Sequence, residues 1–102
     1  MLYTRFDPVF FERTRLSLIT IIFREEKVSF PALKRITGLS DGALYSHLQK
    51  LVGAGFVSKE KVLISDGAQT VYFLTEKGRK EFKEYLVFME SVIKSHGEVK
   101  NE

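Results

Sequence analysis

Residues 29–55, SFPALKRITGLSDGALYSHLQKLVGAG, contain the pattern that decides the fold of this chain. Pro31 is typical of the first turn of a helix, and Gly38 can adopt the left-handed conformation in which helices often end. Ser40 then predicts the N-cap of a further helix, which we expect to span residues 41–54. The segment therefore predicts two helices joined by a tight, glycine-containing turn.

The helix predicted over 41–54 has two faces of different chemistry. Three leucines share one stripe of a helical wheel, and we expect them in the core: Leu44, Leu48 and Leu51. The opposite face has small, hydrogen-bonding and aromatic side chains, with Lys50 at its edge. A helix that only meets solvent is typically rich in Glu/Lys pairs, so this face indicates a contact surface. Its residues are Gly42, Tyr45, Ser46 and Gln49.

The residues before this segment predict a first helix with two apolar stripes. Asp7 followed by Pro8 is typical of a helix start, and we expect the helix to run to about residue 24. One stripe contains Leu16, Ile19, Thr20 and Phe23. The second contains Phe11, Leu18 and Ile22. Because one stripe suffices for the core of a small domain, the second predicts another packing partner.

The residues after the segment predict a hairpin and a long final helix. Residues 56–64 and 69–74 are rich in β-forming residues and flank Asp66-Gly67, a strong hairpin signal. Thr75 predicts the cap of a helix over about 75–95. With Val28 as a possible short strand, the sequence predicts an α+β fold, mostly α, in a single domain over residues 1–102.

Composition excludes several classes of site. The chain has no cysteine, which excludes disulfides, thiolate metal sites and a cysteine nucleophile. His47 and His96 lie far apart in the sequence, so we expect no metal and no cofactor. No Ser/His/Asp grouping, paired carboxylates or glycine-rich phosphate loop is visible, and we therefore expect no enzyme. The net charge of +3 is compatible with an anionic partner.

The N-terminus does not have the pattern of a secretory leader. The apolar run from Leu16 to Phe23 is too short to span a bilayer. We therefore expect no membrane association and a cytoplasmic location.

The stretch FVSKEKVLISDGAQTVYFLTEKGRKEF, residues 56–82, resembles the wing and closing helix of the small single-domain MarR/ArsR-like winged-helix regulators. The helix-turn-helix segment, Asp7-Pro8 and LTEKG at 74–78 fit the same family. The resemblance implies a three-helix core with a β-hairpin wing and a long C-terminal dimerisation helix. It also implies sequence-specific binding of double-stranded DNA by a transcriptional regulator. Relatives often place arginines at the wing tip, whereas this tip carries Asp66.

On this interpretation helix 41–54 enters the major groove and hairpin 56–74 is the wing. Gln49 can bond adenine with two hydrogen bonds, and Ser46 can bond either base class. Gly42 permits close approach, and Tyr45 also suits phosphate contact. Basic and hydroxyl residues around this helix are the expected phosphate ligands. These are Lys34, Arg35, Ser40, Lys50, Lys59, Lys61, Gln69 and Thr70.

Apolar residues in the last helix exceed what one small core covers and predict a homodimer. Together with the second stripe of the first helix, the expected interface residues are Phe11, Leu18, Ile22, Phe82, Tyr85, Leu86, Met89, Val92 and Ile93. A twofold dimer predicts an inverted-repeat operator. The alternative is that this stripe folds back onto its own core.

Two plainer alternatives stay open at this point. Lys34 and Arg35 can form a solvated face, and Lys59 and Lys61 can be charges that protect an edge strand from aggregation.

The alternative function is a winged-helix module that binds proteins without DNA. That function predicts an apolar or acidic outward face on helix 41–54, whereas the face here is polar to basic. The residues do not identify a small-molecule effector.

Overall fold

The computed structural model describes the backbone of residues 6–100 and the side chains of residues 6–96. It confirms the predicted order of three helices, a hairpin and a fourth helix. The elements are α1 (Arg13–Glu25), β1 (Val28–Ser29), α2 (Phe30–Thr37), α3 (Asp41–Gly53), β2 (Val57–Ile64), β3 (Gly67–Leu74) and α4 (Glu76–Lys100).

The three strands form one antiparallel sheet in the order β1-β3-β2. The short strand at Val28 is confirmed, and Val28 pairs with Tyr72 of β3. Ile64 pairs with Gly67, so the hairpin loop contains only Ser65 and Asp66 and is shorter than predicted. Gly67 has φ +123° at the end of this loop, a conformation that favours glycine. The hairpin extends as a two-stranded wing because β1 covers only the base of β3.

The core lies between the helices and one face of the sheet. Leu44, Leu48 and Leu51 are fully buried, which confirms the leucine stripe of α3. Burying a leucine side chain stabilises the fold by about 1.5–3 kcal/mol, so this stripe is a main anchor of α3. Phe10 packs edge-on against Phe56 with ring centroids 5.1 Å apart. The segment before α1 therefore contributes to the same core as the sheet.

The predicted start of the first helix is wrong. Asp7 begins a local turn, in which its carboxylate accepts from Val9 N at 2.8 Å and its carbonyl accepts from Phe11 N at 2.8 Å. The helix begins at Arg13, and Glu12 is its N-cap through a hydrogen bond from Arg15 N at 2.9 Å. An Asp-Pro pair caps an isolated turn as well as a helix, and here the turn directs Phe10 into the core.

The predicted division of α1 into a core stripe and a free stripe is also wrong. Leu18 and Ile22 are fully buried in the core of their own chain, and so is Ile19, whereas Thr20 is exposed. The reason is that α1 contacts β3, α3 and α4, which cover it from more than one side. Leu18 and Ile22 therefore do not belong to a subunit interface.

Two further predictions about apolar residues need correction. Phe82 is buried at the start of α4 and packs against Phe23 with ring centroids 4.9 Å apart, so it too is core rather than interface. The helical spacing of Phe30, Leu33 and Ile36 predicts that Ile36 points inward from the second helix, but its side chain is exposed. The helix α2 has only eight residues and ends at Thr37. Leu33 is its fully buried residue.

The last helix begins as predicted and runs further. Thr75 caps it by accepting a hydrogen bond from Gly78 N at 3.0 Å. The helix continues to Lys100, beyond the predicted end near residue 95. Its start is fixed to the hairpin, because Thr75 N donates to Phe56 O at 3.0 Å. This junction explains the glycine of the LTEKG motif, since a Cβ at Gly78 would lie 2.1 Å from Phe56 O.

We expect Gly78→Ala to lower the free energy of unfolding by about 1–3 kcal/mol, because the added methyl group forces α4 away from backbone that cannot yield easily. The matched control is Gly53→Ala in α3, where an added Cβ meets nothing within 4 Å. That variant should be neutral or up to about 1 kcal/mol more stable, since alanine favours helix. Urea unfolding followed by circular dichroism measures both. Equal stability of the two variants would contradict the close contact.

Candidate nucleic-acid interface

The outward face of α3 is free of contact with the core. Gly42, Tyr45, Ser46 and Gln49 are all exposed, and Tyr45 keeps 51% of its surface. Ser40 caps the helix by accepting from Ala43 N at 3.2 Å. The side chains of the predicted contact face are therefore accessible, because the buried leucines on the other side of the helix turn this face outward.

The hairpin presents a second polar surface beside α3. Lys59 pairs with Tyr72 and Lys61 pairs with Thr70 across the two strands. Because side chains alternate along a strand, these residues share the sheet face whose inner end is the buried Val57. Lys59 Nζ donates to Gln49 Oε1 at 3.3 Å. That hydrogen bond joins the hairpin surface to the outward face of α3.

A cleft of about 390 Å³ lies between α2, α3 and the hairpin. It brings together five of the predicted contact residues: Tyr45, Lys59, Lys61, Gln69 and Thr70. The buried ring of Tyr72 also lines the cleft. Burial raises the pKa of the Tyr72 phenol, with a smaller effect of Tyr45, so the phenol stays neutral near pH 7.

Positive and negative charges of the hairpin separate onto opposite faces. Glu60 lies between Lys59 and Lys61 in sequence, but alternation places it on the other side of the sheet. There its carboxylate pairs with Lys27 Nζ at 3.4 Å. Gln69 borders the cleft, although its register with Val62 places it on the same far side as Glu60. The face beside α3 therefore carries lysines without the intervening glutamate.

The other predicted phosphate ligands lie apart from this cleft. Lys34 Nζ pairs with Asp41 Oδ1 at 2.9 Å, an exposed ion pair that joins α2 to the start of α3. Arg35 on α2 and Lys50 on α3 are exposed. Part of the positive charge of Lys34 is thus already balanced within the chain.

A buried arginine behind α3 was not predicted from the sequence. Arg15 donates through Nε to Val9 O at 2.6 Å, and its Nη1 lies 3.1 Å from His47 Nδ1. The hydrogen bond from Arg15 N lowers the pKa of Glu12 and keeps that N-cap ionised. His47 is partly buried beside the leucine stripe. Helical spacing could have indicated that Arg15 is buried. It precedes Leu18, Ile19 and Ile22, the other buried residues of α1, by three, four and seven residues.

From Tyr85 onward α4 presents accessible apolar side chains. Tyr85 packs edge-on against Phe11 with ring centroids 5.4 Å apart, and Phe11 itself is partly exposed. Further along the helix Leu86, Val92 and Ile93 are exposed, and Met89 is half-buried. Of the predicted interface residues, those that keep accessible surface are Phe11, Tyr85, Leu86, Met89, Val92 and Ile93.

Other kinds of site have no counterpart in the described residues. Among residues 6–96 no three His, Asp or Glu side chains come close enough to hold a metal ion. Within that same part of the chain no helix combines the length and apolar character needed to cross a bilayer.

Comparison with known proteins agrees with this geometry. Residues 14–93 match the family described as "Winged helix DNA-binding domain". The chain is 35% identical over 78 residues to the uncharacterized protein MJ0432 of Methanocaldococcus jannaschii, covering 76% of this chain and 85% of that protein.

Two solved structures extend the likeness to three dimensions. The transcriptional regulator homologue from Pyrococcus horikoshii OT3 is 29% identical with a TM-score of 0.75, covering 85% of this chain and 86% of that one. A protein assigned to the MarR family of transcriptional regulators from Porphyromonas gingivalis W83 is 28% identical with a TM-score of 0.65, covering 84% and 79%. The predicted winged-helix fold is confirmed, and the chain belongs to the winged-helix DNA-binding domain family.

Proposed function

We propose that this winged-helix DNA-binding regulator recognises a specific operator with α3 in the major groove and the β2–β3 hairpin as its wing. The observation that carries the proposal is the hydrogen bond from Lys59 Nζ to Gln49 Oε1. It couples an exposed, hydrogen-bonding helix face to a lysine-bearing strand face, from which Glu60 is turned away. A helix is about 10–12 Å across and fits the major groove, which is about 12 Å wide.

Gln49 is the residue that we assign to base recognition. A glutamine amide bonds adenine by accepting from N6 and donating to N7. Its carbonyl oxygen has two lone pairs, so Oε1 can accept from Lys59 and from adenine together. The hydrogen bond from Lys59 would also fix which end of the amide points to which atom. Lys59 is therefore a positioning residue for Gln49 as well as a phosphate ligand.

The remaining contacts set orientation and affinity. Lys59 and Lys61 lie along the wing and are suited to one phosphate strand, and Thr70 opposite Lys61 adds a hydroxyl. Lys50 and Arg35 are exposed cations on the two helices of the helix-turn-helix. Lys34 has to exchange Asp41 for a phosphate to contribute, so we expect less from it. We assign the chain no catalytic role.

A protein-binding module is the alternative function. It would call for an apolar or acidic surface on α3 to dock a partner. The exposed side chains here are a phenol, a hydroxyl and an amide, with lysines on the neighbouring strand. This composition favours a polyanion with hydrogen-bonding edges, which is the chemistry of duplex DNA.

We further propose that the regulator is a homodimer joined through α4 and Phe11. The accessible apolar side chains of α4 continue over several turns, and the helix of 25 residues is about 37 Å long. A twofold axis through this helix would bring the same patch of both subunits together. The two α3 helices would then meet successive major grooves, about 34 Å apart, on an inverted repeat.

The first test is recognition by Gln49. Selection from random duplexes should enrich one sequence, and Gln49→Ala should then lose about 1–3 kcal/mol of discrimination at one or two of its base pairs while keeping non-specific binding. The matched control is Lys50→Ala, the next residue, which should weaken binding to all sequences and reduce the salt slope by about one. Fluorescence anisotropy titrations measure both. Uniform weakening by Gln49→Ala would remove α3 from base recognition.

The second test concerns the dimer. Leu86→Glu with Ile93→Glu should give monomers, because each places a charge in the proposed interface while both positions are exposed in the single chain. Val87→Glu is the control, since Val87 is exposed on another side of α4 and should leave the dimer intact. Sedimentation equilibrium at tens of micromolar protein decides between the two states. A wild-type monomer at that concentration would contradict the proposal.

A further inference from the structure

The buried tyrosine at the floor of the cleft has a polar end that the fold does not use. Tyr72 is 2% exposed, and its ring packs on Phe30 with centroids 6.5 Å apart. Its phenol oxygen forms no hydrogen bond with any residue that the structure describes. No polar side-chain atom in that part of the chain is both enclosed and unpaired, so this oxygen opens into the cleft that Tyr72 lines. Because buried tyrosine hydroxyls usually have a hydrogen-bond partner, the unpaired oxygen points to a ligand in the cleft.

The groups around this oxygen favour an anion. Tyr72 lies opposite Lys59, and the next pair on the same face, about 7 Å nearer the tip, is Lys61 with Thr70. Both lysines and the threonine line the cleft, and no carboxylate of the described residues does. The first turn of α2 also borders the cleft, and the positive end of a helix dipole attracts negative charge.

At neutral pH the phenol carries a proton that it can donate to such an anion. Burial raises the pKa of the Tyr72 phenol, so the group does not become a phenolate that would repel negative charge. Phosphate oxygens of the nucleic-acid backbone accept hydrogen bonds from hydroxyl groups, tyrosine included. The packing of the ring on Phe30 fixes the direction in which the phenol points.

We propose that the cleft receives one backbone phosphate of the operator and that Tyr72 donates a hydrogen bond to it from the floor, beside Lys59 and Lys61. This inference rests on the proposed function, in which α3 lies in the major groove and the hairpin follows one phosphate strand. The cleft lies between these two elements, where the strand that borders the groove would pass. Tyr72 is thus a phosphate ligand whose fixed ring sets the position of the duplex without reading its sequence.

The first test is Tyr72→Phe, which removes only the oxygen. Binding to the selected duplex should weaken about tenfold, as expected for the loss of a hydrogen bond to a charged group. Non-specific duplexes should lose the same factor, because all sequences share the phosphate. The salt slope should stay unchanged since no charge is removed, whereas Lys61→Ala should reduce it by about one. Fluorescence anisotropy titrations at several salt concentrations measure all of these.

Two controls separate this role from a role in folding. Urea unfolding of Tyr72→Phe should match that of wild type, because the oxygen bonds nothing within the described chain. A clear loss of stability would show that the phenol is bonded inside the fold and would overturn the inference. Ser58→Ala removes a hydroxyl from the opposite face of the sheet and should bind DNA as wild type does.

A second test locates the phosphate with duplexes that carry one methylphosphonate each, a neutral group in place of a charged phosphate. At one position the substitution should cost Tyr72→Phe less affinity than it costs wild type, because both changes remove the same contact. At all other positions the two proteins should lose equal affinity. Equal losses at every position would mean that the phenol contacts no phosphate, which overturns the inference.

The outcomes separate the inference from the proposed function. If Tyr72→Phe binds the selected duplex as tightly as wild type does, the inference is wrong and the role of α3 stands. If wild type itself binds no duplex, the proposed function fails and the inference fails with it.

Discussion

The packing of Leu44, Leu48 and Leu51 into the core determines what the rest of α3 can do. Because these three side chains are fully buried, the helix cannot rotate about its axis, and its polar face must point outward. Arg15 reinforces this orientation from behind, since its guanidinium lies 3.1 Å from His47 on the same helix. The backbone of this face is thus held in one orientation, which would lower the entropy cost of binding a partner.

The wing is placed by a second set of contacts, at the junction of α3, β2 and α4. Lys77 Nζ donates to Ala54 O at 2.7 Å and thereby satisfies a carbonyl at the end of α3. Thr75 donates through Oγ1 to Gly55 O at 2.5 Å. The close approach of Gly78 to Phe56 completes the junction. These bonds hold the base of the hairpin beside α3, which brings the Lys59 side chain within reach of Gln49.

Features that depend on residues close together in the sequence are predicted correctly, whereas features that depend on which elements pack against each other are not. Caps, turns and the leucine stripe follow from nearby residues, and the order of elements was therefore correct. Periodicity does not tell how many neighbours surround a helix, which is why the pattern places Leu18 and Phe82 in an interface, whereas both lie in the core. Strand alternation alone places Glu60 and Lys59 on opposite faces of the sheet. Only the structure shows that the face with Lys59 lies beside α3.

The most direct test of the central claim is to map the duplex on the chain by nuclear magnetic resonance. Uniformly ¹⁵N-labelled protein is titrated with the selected duplex, and the change of each backbone amide shift is recorded. The account predicts the largest changes along the outward face of α3, residues 42–49, and on hairpin residues 59–70, with small changes in α4. Changes that concentrate on α4 or α1 while α3 stays unaffected would contradict it.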